Sequence, residues 1–89
     1  EIEEVLRTHG SIGECVVVGV ADEEWGEQVA ACIVAAGSNP PTLEELRLWA
    51  RERLAPYKIP RLLESVADLP RNAMGKVQKP AIVKLFEGE

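Results

Sequence analysis

The sequence predicts a small α+β domain, with about three antiparallel strands in one sheet and helices packed on it. Three observations carry this. The 89 residues suffice for one core. Apolar residues recur at helical spacing at the start, in the middle and at the end of the chain. Short apolar runs rich in β-branched residues lie between them, giving the order α-β-β-α-β-α.

The elements follow in turn. Ile2, Val5, Leu6 and His9 fall on one helical stripe, and Gly10 can close it as a left-handed cap. Cys15 to Val20 is a continuous apolar run, as expected of a strand covered on both faces. Ala21 to Glu27 reads as a polar loop, and Val29 to Ala36 as a second strand, antiparallel to the first. Gly37 to Pro41 is a turn. Thr42 and Glu45 then match a capping box, followed by the stripe Leu43, Leu46, Ala50 and Leu54. Arg51 and Arg53 suit the negative end of that helix dipole, and Pro56 should end it. Leu62 to Val66 reads as a third strand and Leu69 to Lys76 as a loop. Pro80 opens a final helix faced by Ile82, Val83, Leu85 and Phe86.

Composition narrows the function. No apolar run reaches about 18 residues, so no membrane span is expected. The acidic start, Glu1-Ile2-Glu3-Glu4, does not resemble a signal peptide, and the missing initial Met suggests a piece of a longer protein. A net charge of −5 disfavours nucleic acid as a partner. Charge is uneven, however. Arg7 is the one base in residues 1–45, and the other nine lie between Arg47 and Lys84, a half able to meet a small polyanion. Cys15 and Cys32 have no metal or redox spacing and read as buried strand thiols of a reducing compartment, and a cytoplasmic location is the expectation. His9 reads as a packed or capping side chain, and Glu1, Glu3 and Glu4 as a solvated helix start.

The segment from Leu69 to Lys79 differs from these. Gly75 closes a turn from whose tip Lys76 projects, where an ammonium can reach a phosphate in a neighbouring domain. It is no P-loop: the earlier glycine is absent and Val77 replaces the hydroxyl residue. Pro70-Arg71-Asn72 followed by Gly75-Lys76 resembles the C-terminal lysine motif of adenylate-forming enzymes, which include acyl-CoA synthetases, peptide-synthetase adenylation domains and luciferases. Three further segments agree in order: Glu1-Ile2-Glu3, Val17 to Asp22 with Trp25-Gly26, and Leu54-Ala55-Pro56-Tyr57-Lys58-Ile59-Pro60. Ala21 stands where the family commonly has proline. The segment from Pro70 to Lys79 resembles the malonyl-CoA synthetase subgroup more than it does most relatives.

The resemblance implies that residues 1–89 are the C-terminal lid of an ATP-dependent acyl-CoA synthetase (an acid–thiol ligase), whose partner is its own N-terminal domain. That domain, with its ATP and acyl pockets, its Mg²⁺ and the hinge, is not in this sequence, so the lid alone should not catalyse. The substrates implied are ATP and CoA. Lys76 would serve acyl-adenylate formation. After the lid rotates, Trp25, Gly26, Arg51, Tyr57, Lys58 and Arg61 would form the surface that meets CoA and the acyl-adenylate. Two other readings stay open: the lid of an adenylation domain that loads a carrier protein, and a non-catalytic stand-alone binding module.

Overall fold

The structure is a computed structural model, and it describes residues 1–24 and 26–87. Its elements are α1 (Ile2–Leu6), β1 (Ile12–Asp22), β2 (Gly26–Ala35), α2 (Leu43–Ala50), a 3₁₀ turn (Pro56–Lys58), β3 (Leu62–Ser65) and α3 (Lys79–Phe86). The order is the expected α-β-β-α-β-α.

The sheet runs β1-β2-β3, and one expectation about it is corrected. β1 and β2 are antiparallel, with Cys15 opposite Ile33 and Val18 opposite Ala30, but β3 lies parallel to β2, with Ala30 opposite Leu62. The sheet is therefore mixed. The physical reason is the connection: β2 reaches β3 through α2, and a crossover that carries a helix returns the chain in the same direction.

Three boundaries also differ. Asp22 pairs with Gly26, so both strands run into the stretch expected to be a loop from Ala21 to Glu27. Gly26 sits at φ 79, a region glycine enters without steric cost. At the other end, α1 stops at Leu6, and Gly10 does not adopt a left-handed conformation. The Thr8 hydroxyl donates to the Val5 carbonyl at 2.7 Å, and the Thr8 and His9 amides donate to Val5 and Leu6 in a tightened last turn. Finally, α2 ends at Ala50, before Pro56, which instead opens the 3₁₀ turn. Arg53 closes that end of α2, donating to the Trp49 carbonyl at 2.6 Å with its guanidinium 4.3 Å from the indole centre.

Both faces of the sheet are covered, as the continuous run in β1 required. Val16, Val18, Val20, Ala30 and Cys32 pack against Leu69 and Ile82 on the α3 side. Cys15, Ala31 and Ile33 pack against Leu6 and Leu46 on the side of α1 and α2. Ala50, Leu54 and Ile59 form a smaller cluster under the 3₁₀ turn. Glu3 is not simply solvated: its carboxylate accepts the Val17 amide at 2.8 Å and ties α1 to β1.

The capping box forms as read. The Thr42 hydroxyl accepts from the Glu45 amide at 3.1 Å, and the Glu45 carboxylate accepts from the Thr42 amide at 3.0 Å. Thr42→Ala removes the first bond and should lower stability by about 1 kcal/mol. Urea unfolding of the 89-residue chain would show it as a lower midpoint with an unchanged slope.

Candidate functional site

Lys76 sits in a small hairpin between β3 and α3. Arg71 and Val77 form an antiparallel bridge, and the Asn72 amide donates to the Lys76 carbonyl at 2.9 Å. Asn72 organises the tip: its side-chain oxygen accepts from the amides of Met74 at 2.9 Å and Lys76 at 3.0 Å. Gly75 stands at φ 84, so the turn needs the residue type found there. Lys76 is exposed, and its ammonium has no hydrogen-bond or ion-pair partner among the described residues. The segment read as a loop is thus a hydrogen-bonded hairpin, and it presents the Lys76 cation at the surface.

The implied CoA residues divide between places. Arg51, just past α2, and Arg61, before β3, line one groove of about 830 Å³. Arg47, Leu48, Pro56, Ile59 and Glu44 complete its walls. Arg47 also donates to the Pro60 carbonyl at 2.7 Å, which fixes α2 to the segment carrying Arg61. Three guanidiniums beside apolar walls suit an anionic ligand with an apolar portion. Tyr57 is 78% exposed next to this groove's Pro56 but is not one of its lining residues.

Lys58 faces elsewhere, towards Glu1, Ile2, Glu3, Val17 and Lys79. Its ammonium donates to the Glu1 carboxylate, and this bond lowers the Glu1 pKa and raises that of Lys58. Gly26 lies at the β1–β2 turn, away from the groove lining. Trp25 falls outside the described residues.

Sequence reasoning missed Arg47, Leu48, Glu14 and Glu1. Arg47 and Leu48 were within reach, because they lie four and three residues before Arg51 and share its side of the helix. Glu1 and Glu14 meet their cations only through tertiary structure, 57 residues apart in each case.

The remaining candidates do no visible chemistry. The His9 ring accepts from the Ser11 amide at 3.1 Å and packs edge-on against Trp49, with ring centres 4.8 Å apart, so it is a packed, capping side chain. Cys15 and Cys32 are buried free thiols. Burial pushes the Cys15 pKa up to about 12 and raises that of Cys32, which leaves negligible nucleophilic thiolate at neutral pH. Among the described residues, no group of three or more His, Cys, Asp or Glu is placed to hold a metal ion.

The family model of the AMP-binding enzyme C-terminal domain matches residues 1–76. The chain belongs to this family. The domain is 44% identical to a malonate–CoA ligase of Arabidopsis thaliana over all of its length, and 41% identical over 97% of it to the mitochondrial malonate–CoA ligase ACSF3 of Homo sapiens. It covers 16% and 15% of those proteins, so it spans about a sixth of the curated relatives it matches. Among solved structures, apo MatB from Rhodopseudomonas palustris superposes with a TM-score of 0.89 at 31% identity, over 97% of the domain and 17% of that chain. The amide bond synthetase McbA from Marinactinospora thermotolerans gives 0.88 at 35%, over 96% and 17%. No described helix is long and apolar enough to cross a membrane.

Proposed function

We propose that the domain is the C-terminal lid of an ATP-dependent acyl-CoA ligase, joining a carboxylate to CoA with release of AMP and pyrophosphate. The observation that carries this is Lys76: an exposed ammonium without a partner among the described residues, on a hydrogen-bonded hairpin, in a member of the AMP-binding enzyme C-terminal domain family. An N-terminal domain outside these residues supplies the ATP and acyl pockets and holds the Mg²⁺.

The chemistry requires two anions, the substrate carboxylate and the α-phosphate of ATP, to approach each other. An ammonium between them cancels their repulsion, and a unit-charge contact at about 4 Å is worth about 4 kcal/mol at an effective dielectric near 20. Lys76 therefore works by preorganised charge and moves no proton. In the second step a thiolate displaces AMP from the acyl-adenylate. The groove of Arg51 and Arg61 is then the anchor for the CoA phosphates. Tyr57, beside the groove, and the pair Trp25-Gly26 are assigned to the CoA surface by the family resemblance. Lys58 joins them by exchanging Glu1 for a phosphate, an exchange that an exposed pair allows.

Malonate is the first acid to assay, given the names of the plant and human relatives. A cytoplasmic location stays part of the proposal, beside the mitochondrial one in the human relative's name. Because one structural neighbour is named an amide bond synthetase, the acceptor is tested directly, with CoA, carrier protein and amine compared on the full-length protein.

The CoA surface has its own expected result. In the full-length protein, Arg51→Ala with Arg61→Ala should raise the apparent KM for CoA by about tenfold or more, with pyrophosphate release unchanged. Unchanged CoA dependence would remove the groove from the binding surface.

A further inference from the structure

The Lys76 hairpin meets the sheet through Val77, which packs against the α3-side core, and through a polar contact that its own geometry does not require. The Arg71 guanidinium donates to the Gly75 carbonyl at 3.0 Å and, through its other terminal nitrogen, to the Glu14 carboxylate of β1 at 2.9 Å. We propose that Arg71 is a positioning residue for Lys76 and that Glu14 anchors it, the two forming a brace that holds the lysine hairpin at a set angle to the sheet. This deepens the reading above and rests on it.

Bonds within the hairpin set its shape. Asn72 satisfies the tip amides, and the Gln78 amide donates to the Pro70 carbonyl at its base. None of these bonds reaches the sheet. Gly75, immediately before Lys76, is the residue with the widest conformational freedom, so the tip can pivot there. Arg71 holds the carbonyl of that same residue and ties it to β1 with one planar group. A guanidinium can make both bonds at once in fixed relative directions, whereas an ammonium on a flexible stem cannot set that angle.

The pair is half-exposed, with side-chain exposures of 37% and 48%, so it contributes little to stability. Its consequence is geometric. A lysine on a long flexible stem must arrive between two anions, and displacement by about 1 Å can cost about 100-fold in rate. The brace narrows where the stem starts.

The test uses the full-length protein carrying Arg71→Ala, Arg71→Lys, Glu14→Ala or the double Glu14→Ala/Arg71→Ala. Pyrophosphate release and thioester formation from supplied acyl-adenylate are measured separately, with amide exchange at Met74, Gly75 and Lys76 as a structural readout. Arg71→Ala should lower kcat for pyrophosphate release by about 10- to 100-fold, leave the ATP KM and the thioester step within about twofold, and speed exchange at the tip. Arg71→Lys should recover only part of the rate. Because Glu14 acts through Arg71, the double variant should be no slower than Arg71→Ala alone. Additive losses, equal slowing of both half-reactions, or a native rate in Arg71→Ala would overturn the brace. Lys76→Ala, run in parallel, separates the two claims. If it stops pyrophosphate release while Arg71→Ala changes nothing, the brace alone fails. If it leaves release intact while Arg71→Ala still speeds exchange, the role of Lys76 fails and the positioning claim falls with it.

Discussion

Lys76→Ala in the full-length protein should slow acyl-adenylate formation by about 100- to 1,000-fold. The figure follows from losing a charge contact of about 4 kcal/mol, at about 1.4 kcal/mol per tenfold in rate. The same variant should convert supplied acyl-adenylate and CoA to thioester at a near-normal rate, since the second step does not bring a carboxylate against a triphosphate. Lys76 is exposed, with no side-chain bond among the described residues, so the substitution removes a charge without opening a cavity. The domain should stay as stable as before. Pyrophosphate release and thioester formation, assayed apart, check both halves. Equal slowing of the two steps, or intact adenylation, would return the hairpin to an ordinary surface turn.

The largest stability loss should come from Ile82→Ala. Ile82 is fully buried and sits among Val16, Val18, Val20, Ala30, Cys32 and Leu69. It is the buried residue of α3 and fastens that helix to the sheet. Removing three carbons there should cost about 2–5 kcal/mol, counting both lost transfer energy and the cavity. A domain of this size has a total stability on the order of 5–15 kcal/mol, so the variant loses a large share of it. Denaturant unfolding should show a marked fall in midpoint. In the full-length protein the Lys76 step should suffer more than the CoA step, because Gln78 at the start of α3 also closes the base of the Lys76 hairpin. A loss below about 1 kcal/mol would mean that α3 is not held by this contact.

The two functional surfaces were not equally legible in the chain. The turn that carries Lys76 was legible from neighbours alone, because Asn72, Gly75 and the lysine are close in sequence, whereas the role of Lys76 was read from the resemblance. The proposed CoA residues were likewise read from the resemblance. The structure unites Arg51 with Arg61 in one groove and turns Lys58 towards Glu1. Which of these residues share a face depends on how α2 and the 3₁₀ turn pack.

The same division runs through the fold. Period and chemistry within a few residues were enough for the capping box at Thr42, the buried run from Cys15 to Val20 and the proline at the start of α3. The sequence by itself therefore determined the order of elements, the covered sheet and the lysine turn. The parallel pairing of β3 and the pairs Glu1–Lys58 and Glu14–Arg71 were decided only in three dimensions. Each joins segments far apart in the chain, where geometry is set by crossover and packing. No local preference of the residues encodes such a meeting.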